Sequence, residues 1–264
     1  MPKASNQITE YCESIAETIS DDRKGEIPTP DAKHVLRWAR QFPVSKRSTI
    51  LKETAHLFDR GYYSKENVRE FLGGLIDNEE LIRGQSPKSF WKRVNFLRLQ
   101  GKGSSQEDLL NIFGGMLNKR FEFWTRDCGS KSGPHFYLDD FLFTGTTVRT
   151  SLLKWIEKSK PTKPDLHLVF IAYHRYGQYN AQTSTGKAIS QVGGTVTYWR
   201  MTEIEDRKRF ASSCDVLRPR KVYSDPAINA TTCRKENHSL VWNGSAAEMG
   251  QLLHKSADET GIEP

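Results

Sequence analysis

The chain has 264 residues, of which 36% are hydrophobic and 11% aromatic, enough for the core of one large domain or two small ones. Its 39 basic and 32 acidic residues give a formal net charge of +7, which predicts an anionic partner. The mean hydropathy is −0.64, and no apolar run approaches the ~18 residues of a membrane span. Because residues 1–22 also lack the pattern of a secretory signal, we expect a cytoplasmic protein that does not bind membranes.

The cysteines argue against two kinds of structural site. Cys12, Cys128, Cys214 and Cys233 are far apart in the sequence, and none belongs to a Cys-x-x-Cys pair. This spacing makes a zinc site of paired thiolates and a disulfide framework both unexpected. Cys128 lies in a Gly/Ser loop, where a reduced surface thiol is a simpler interpretation than a nucleophile.

The first 82 residues have the pattern of a helical subdomain. Apolar residues recur at helical spacing over 35–42, and Ser45 and Ser64 are predicted to cap a second and a third helix. Three amphipathic helices can cover a sheet, and they can also form a helix-turn-helix that reads DNA. The sequence leaves both possibilities open.

A basic segment with interleaved aromatic residues occupies residues 81–102. It contains no acid and carries Arg83, Lys88, Lys92, Arg93, Arg98 and Lys102, with Phe90, Trp91 and Phe96 between them. This composition suits a phosphate-bearing ligand or a strand of nucleic acid. The alternative is a solvated face beside a sheet, with the aromatic residues in the core.

From about residue 94 the pattern changes to strands that alternate with helices. Strands are predicted at 94–99, 121–125, 135–140, 166–173 and 195–201, and helices at 109–117, 147–158 and 246–255. The strands are near-continuous apolar runs, as expected when both faces of a sheet are covered, and the helices between them predict parallel pairing. We therefore expect residues 83–264 to form an α/β domain with a parallel, doubly wound sheet.

One strand-loop-helix segment, residues 136–150, has the pattern of a phosphate site. Its strand delivers Asp139 and Asp140 at the C-terminal end, where open α/β sheets bind ligands. The run Thr144-Gly145-Thr146-Thr147 then opens a helix, whose first turn has unpaired N–H groups for an anion. Carboxylates repel phosphate, so their expected partners are ribose hydroxyls or a cation such as Mg²⁺. The pattern predicts a 5-phosphoribosyl ligand.

Residues 137–147 resemble the motif that binds 5-phosphoribosyl 1-pyrophosphate (PRPP) in type I phosphoribosyltransferases. The shared pattern is a run of apolar residues, two acids, three variable residues and Thr-Gly-x-Thr. The resemblance implies a sheet of the phosphoribosyltransferase type, with Asp139 and Asp140 as catalytic residues that hold the ribose. Mg²⁺ is expected to bind through the ligand, with the two acids as its candidate protein contacts. The implied phosphate-binding residues are Phe143, Thr144, Gly145, Thr146 and Thr147.

The same resemblance implies further parts of the site. In the family a loop after the first core strand holds the pyrophosphate, and the matching residues are Gly101, Lys102, Gly103, Ser104 and Ser105. Base-contact candidates end the fourth predicted strand, at Tyr173, His174 and Arg175, although an aromatic core edge with a surface arginine is equally compatible. The long loop that closes over PRPP in the family's enzymes corresponds here to the short segment 126–134. Ligand binding is therefore better supported than transfer.

The helical half carries a second resemblance. Trp38-Ala39-Arg40-Gln41-Phe42 and Tyr62-Tyr63-Ser64, followed by the sheet, are similar to phosphoribosyltransferase-like proteins of bacterial conflict and antiphage systems, including some retron effectors. This implies an enzyme that transfers or degrades nucleotides, working with a defence-system partner. The alternative is an inactive nucleotide sensor whose basic helical half binds nucleic acid or a partner protein. A kinase-like site is disfavoured because the sequence has no Gly-x-x-x-x-Gly-Lys-[Ser/Thr] loop.

Overall fold

The protein divides into two compact units, as seen in a computed structural model that describes residues 2–101, 104–207 and 215. Among the described residues, one unit comprises residues 2–94 with 108–130, and the other comprises residues 95–101, 104–107, 131–207 and 215. The boundary placed at residue 82 from the sequence stays a prediction. Within the described residues, no helix combines the length and the apolar character needed to cross a membrane.

The first unit begins with a series of helices joined by short turns. They are α1 (Pro2–Thr18), α2 (Ala32–Ala39), α3 (Val44–Gly61), α4 (Lys65–Ile76), α5 (Glu79–Ile82) and α6 (Pro87–Arg93). Ser64 caps α4 as predicted, since its hydroxyl accepts a hydrogen bond from the Asn67 N–H at 3.0 Å. The cap predicted at Ser45 is wrong. Pro43, with φ −55°, takes the N-cap position, so Ser45 already lies in the first turn of α3.

Two groups of buried side chains hold this unit together. Helices α1, α2 and α3 pack around Cys12, Ile15, Ala16, Val35, Ala39 and Leu51. Further along the chain, Trp91 is fully buried, with its ring edge-on to Phe113 at 4.9 Å and its indole N–H donating to the Ile76 carbonyl at 3.0 Å. A large buried ring with a satisfied N–H gives α6 a fixed position against α4 and the helix that contains Phe113.

This packing explains the aromatic residues Phe90 and Trp91 of the basic segment. Phe90 and Trp91 are buried, so neither ring is exposed for stacking on a base. The Lys92 ammonium donates to the Asp127 carbonyl at 2.8 Å, and the Arg93 guanidinium donates to the Gln85 amide oxygen at 3.3 Å. The core interpretation is correct for these two rings, while nucleic-acid binding by the segment stays a prediction.

The second unit is built on a parallel sheet in the order β1-β2-β3-β4. The elements that follow along the chain are β1 (Asn95–Phe96), α7 (Ser105–Phe121), β2 (His135–Leu142), α8 (Thr146–Ser159), β3 (Asp165–His174), α9 (Arg175–Gln191) and β4 (Thr195–Ile204), of which α7 belongs to the first unit from residue 108 onward. Every interior residue of β3 is buried, as its continuous apolar run predicts. The expected fold class is confirmed: a parallel, doubly wound α/β sheet of the phosphoribosyltransferase type with an N-terminal helical subdomain.

Two sequence-based assignments differ from the structure. The strand predicted at 121–125 is wrong, because α7 continues to Phe121 and ends where Glu122 takes a positive φ of 67°. A short 3₁₀ turn, Thr125–Asp127, follows, and the Asp127 carboxylate accepts the Trp124 N–H at 2.9 Å. The aromatic residues that suggested a strand instead stack on each other, as Phe121 and Phe123 do. The helix predicted at 246–255 lies outside the described residues.

The core of the second unit fixes the carboxyl ends of its central strands. It joins β2 and β3 to α8 and α9, and its members include Tyr137, Leu142, Leu152, Trp155, Leu168, Phe170 and Ala181. Because burying a leucine or phenylalanine contributes roughly 1.5–3 kcal/mol, these contacts hold the segment between β2 and α8 on a rigid base. That segment contains the predicted ligand-binding residues.

Candidate functional site

Asp139, the first of the two acids at the end of β2, is buried and fully engaged. Only 3% of its surface is exposed. One carboxylate oxygen accepts the Gln100 amide at 2.6 Å and the Tyr137 hydroxyl at 2.9 Å. The other oxygen accepts the Asp140 backbone N–H at 3.0 Å and faces the Ser105 hydroxyl at 3.4 Å. Asp139 therefore acts as an internal acceptor for groups from two stretches of the chain, residues 100–105 and its own strand β2.

Asp140 has the opposite environment. Its side chain is exposed, and one carboxylate oxygen accepts the backbone N–H of Phe141 at 2.7 Å. An exposed carboxylate can accept hydrogen bonds from ligand hydroxyls without breaking internal contacts. The sequence predicted the same role for both acids, but of the two only Asp140 has an exposed carboxylate.

The hydrogen bonds of Asp139 bring Gln100 and Ser105 to the end of β2. Residues 101–105, here called the Gly-Ser loop, follow Gln100 and end at Ser105, and both of these residues contact Asp139. Gln106 adds a second connection, since its amide oxygen accepts the Gln100 N–H at 3.2 Å and its amide nitrogen donates to the Leu138 carbonyl at 3.2 Å. Lys102 and Gly103 lie outside the described residues, and Gly101 and Ser104 are exposed.

Burial raises the pKa of Asp139 to about 6; the hydrogen bond from Tyr137 opposes this rise, and the charge of the neighbouring Asp140 adds to it. The folded chain therefore holds a proton on Asp139 more readily than the unfolded chain, whose carboxyl titrates near 3.8. The stabilising contribution of this group is complete below pH 3.8 and is lost as the pH rises through about 6. Ionised Asp139 thus lowers the stability of the fold at neutral pH.

Asp139→Asn should remove this pH dependence. Raising the pH from 4.5 to 7.5 is expected to lower the free energy of unfolding of the wild type more than that of the variant, by on the order of 1–3 kcal/mol. Urea denaturation at both pH values measures the difference. Gln100 can turn its amide to present oxygen to the new Asn side chain, so the variant is expected to fold. If the free energy of unfolding changed equally with pH in the two proteins, burial would not raise the pKa of this carboxyl.

Residues 144–147, here called the Thr-Gly loop, form the start of α8. Gly145 is the N-cap, with φ 74°, and supplies no side chain to cap the helix. The Thr146 N–H donates to the Thr144 hydroxyl at 3.3 Å. Within α8, all of which is described, the first turn has no acidic side chain, so its N–H groups and the helix dipole favour an external anion.

The Thr-Gly loop rests on α9 through two glycines. A Cβ added to Gly145 would lie 2.3 Å from the Gly177 carbonyl oxygen, and one added to Gly177 would lie 2.0 Å from the Phe143 carbonyl oxygen. The Asn180 side chain also donates to the Thr144 carbonyl at 2.8 Å. The positive φ of Gly145 and its contact with α9 both require glycine at this position.

The side chains proposed to contact a base all interact with acidic residues of the protein. Tyr173 is 4% exposed, and its hydroxyl donates to Glu203 at 2.9 Å; burial raises its pKa to about 12. Arg175 forms an ion pair with the same glutamate, and the His174 Nδ1 lies 3.2 Å from the Asp206 carboxylate. Tyr173 thus matches the core-edge interpretation, and base contact by His174 or Arg175 stays a prediction.

Phe141 and Phe143, the aromatic residues between the acids and the Thr-Gly loop, form a cluster with His174 that the sequence did not predict. Their rings stack with centroids 3.9 Å apart, and the His174 ring lies edge-on to both at 5.4 Å. Phe143 keeps 59% of its surface exposed. Only the Phe-Leu-Phe run before Thr144 could have signalled this cluster, whereas the family resemblance implied phosphate binding for Phe143.

Two other features, a cleft and the Cys128 thiol, involve none of the predicted site residues. A cleft of about 830 Å³ between α4 and α7 contains none of the predicted site residues; its lining includes Arg69, Gly73, Met116 and Lys119. Burial raises the pKa of Cys128 to about 11, so this thiol is protonated at neutral pH and is a poor nucleophile. Among the described residues, no group of three or more His, Cys, Asp or Glu side chains could hold a metal ion.

Comparison with known proteins identifies the family. The family model described as PRTase-CE matches residues 35–248, which is most of the chain. The chain therefore belongs to the PRTase-CE family, a phosphoribosyltransferase-like family. No curated protein and no solved structure matches the sequence significantly.

Proposed function

We propose that this member of the PRTase-CE family binds PRPP or a nucleotide together with Mg²⁺ at the carboxyl ends of β1 and β2. The site would be formed by the Gly-Ser loop, the two acids and the Thr-Gly loop. The single observation that carries the proposal is the hydrogen bonding of Asp139, whose contacts with Gln100 and Ser105 place both ends of one loop beside the strand that leads into the other.

Each part of the proposed site has a separate role. The first-turn N–H groups of α8 and the hydroxyls of the Thr-Gly loop would hold the 5-phosphate, because that helix end offers donors and a favourable dipole. Asp140 would accept hydrogen bonds from the ribose hydroxyls. Asp139 is a positioning residue, which keeps the Gly-Ser loop next to β2. The hydroxyls of Ser104 and Ser105 would add donors for a pyrophosphate.

The residues present fit Mg²⁺ bound mainly through the ligand. Mg²⁺ in nucleotide sites commonly takes one or two carboxylates, water and phosphate oxygens rather than a cage of protein ligands. Asp140 is an exposed carboxylate of this kind, and Asp139 has its oxygens occupied. When bound, the ion would neutralise charge on a pyrophosphate leaving group.

We propose further that the chain is an effector in bacterial antiphage defence that acts on nucleotides. The support is the resemblance of residues 38–42 and 62–64 to phosphoribosyltransferase-like proteins of conflict systems. The efficiency of plating of a phage panel tests this role in bacteria that carry the gene in its native neighbourhood. Protection that Asp140→Asn abolishes is the expected result, and equal plating with and without the gene would argue against a defence function.

An inactive nucleotide sensor is the second candidate, and one observation favours it. The segment in place of the family's closing loop is held by hydrogen bonds: the Gly129 N–H donates to the Lys92 carbonyl at 3.0 Å, and the Cys128 thiol donates to the Trp124 carbonyl at 3.2 Å. A segment held in this way is poorly suited to close over a reacting ligand. A sensor would bind the ligand and report it to a partner without turnover.

Isothermal titration calorimetry with the full chain tests the binding proposal. PRPP, ribose 5-phosphate and AMP are titrated with and without Mg²⁺, and saturable binding is expected, with PRPP requiring the ion. No binding of any of the three would refute the proposed function. A pyrophosphate-release assay with PRPP then separates the candidates, because the enzyme releases pyrophosphate in the presence of an acceptor base and the sensor does not.

A further inference from the structure

An aromatic cluster of Phe141, Phe143 and His174 lies at the carboxyl ends of β2 and β3. Phe141 covers one face of the Phe143 ring, and His174 packs against its edge. Phe143 nevertheless remains 59% exposed, so the face turned away from Phe141 is open. The Phe143 ring is also packed by two neighbouring rings, so its open face has a defined orientation at this end of the sheet.

The position of Phe143 in the loop limits what can cover it. It directly precedes Thr144 of the Thr-Gly loop and lies three residues after Asp140. A ligand with its phosphate on that loop and its ribose at Asp140 brings the group attached to the sugar to the same end of the sheet. The open ring face is flat, and its natural partner is another flat, apolar-faced ring.

We infer that the exposed face of Phe143, supported by Phe141 and His174, is a stacking surface for the nucleobase of a bound nucleotide. This inference rests on the proposed function and narrows it, since the preferred ligand then carries a base, whereas PRPP has none. The recognised chemistry is a ribose 5-phosphate joined to an aromatic ring.

The neighbouring polar groups indicate how selective this surface is. The His174 imidazole faces Asp206, and Arg175 and Tyr173 both contact Glu203. These side chains have partners already, so stacking rather than hydrogen bonding would dominate recognition of the base. Stacking is tolerant of base identity, and its strength increases with the area of the rings. Purine nucleotides should therefore bind somewhat more tightly than pyrimidine nucleotides.

Calorimetry with ribose 5-phosphate, CMP and AMP tests the inference on the full chain. The wild type is expected to bind AMP on the order of 10- to 100-fold more tightly than ribose 5-phosphate, with CMP between them. Phe143→Ala should abolish the preference for AMP over ribose 5-phosphate, while Phe143→Trp should retain it. Leu57→Ala, which removes a side chain of similar exposure (56%) from α3, is the control and should behave as the wild type.

The outcomes separate this inference from the proposed function. Equal affinities of the wild type for AMP and ribose 5-phosphate would overturn the stacking surface and leave the phosphate and ribose contacts standing. Undetectable binding of every ligand would overturn both. An unchanged preference for AMP in Phe143→Ala, with thermal unfolding equal to the wild type, would place the base elsewhere and contradict the inference.

Discussion

Gly177→Ala is expected to displace the Thr-Gly loop and to weaken binding of ribose 5-phosphate more than tenfold. The new Cβ would lie 2.0 Å from the Phe143 carbonyl oxygen and 2.8 Å from the Leu142 side chain, distances that no packing tolerates. Either the loop or α9 must move, and overpacking of this kind costs about 1–3 kcal/mol. Across the same interface, Asn180 of α9 donates to the Thr144 carbonyl and Gly145 lies against Gly177 of α9. A shift of α9 or of the loop therefore transmits the strain to the N-terminus of α8.

Gly186→Ala in the same helix is the matched control. Its Cβ would meet only the Gln182 side chain, at an ordinary contact distance of 3.9 Å. Alanine is a better helix former than glycine, so this variant is expected to be as stable as the wild type or more stable, by up to about 1 kcal/mol. Thermal unfolding followed by circular dichroism compares the two variants, and calorimetry compares their ligand binding. Equal behaviour of Gly177→Ala and Gly186→Ala would show that the loop does not pack on α9 as described.

Asp140→Asn is expected to reduce affinity for ribose 5-phosphate and for PRPP with Mg²⁺ on the order of 10- to 100-fold. A carboxylate that accepts hydroxyl hydrogen bonds contributes about 1.5–3 kcal/mol through each charge-assisted bond, and an amide accepts more weakly. The side chain is exposed and accepts a hydrogen bond from the Phe141 N–H, which the Asn oxygen can still accept. Stability should therefore change little.

Asp59→Asn supplies the control for the change in charge. Asp59 is an exposed carboxylate on α3, so the substitution alters the net charge by the same amount at a position outside the predicted site. Its affinities should equal those of the wild type. If Asp140→Asn also binds PRPP and ribose 5-phosphate with wild-type affinity, then Asp140 does not contact the ribose, and the assignment of this carboxylate fails.

The sequence predicted the part of the candidate site whose residues follow one another in the chain. A strand that ends in two acids, followed by Thr-Gly and a helix, is a local pattern, and β2 and α8 begin and end within two residues of the predicted bounds. The parallel sheet was predictable for a similar reason, because continuous apolar runs separated by helices have few other ways to pack. The strand at 121–125 failed because aromatic side chains stack on each other as readily as they line a sheet.

The contacts that the sequence did not predict join residues far apart in the chain. Gln100 and Asp139 are 39 residues apart, and Asn180 and Thr144 are 36 residues apart. Nothing in the local pattern distinguishes Gln106 from other glutamines, or Gly177 from a glycine that merely interrupts a helix. The difference between the two acids was also beyond the sequence, since the burial of Asp139 depends on which side chains the fold places around it.

Backbone amide chemical shifts recorded during a titration with ribose 5-phosphate test the central claim most directly. The N–H groups of the Thr-Gly loop are proposed to bind the phosphate, so the amide signals of Gly145, Thr146 and Thr147 are expected to shift most and to saturate together. Titration with free ribose should leave them unchanged. Shifts centred on the cleft between α4 and α7, or no shifts at all, would contradict a phosphate site at the start of α8.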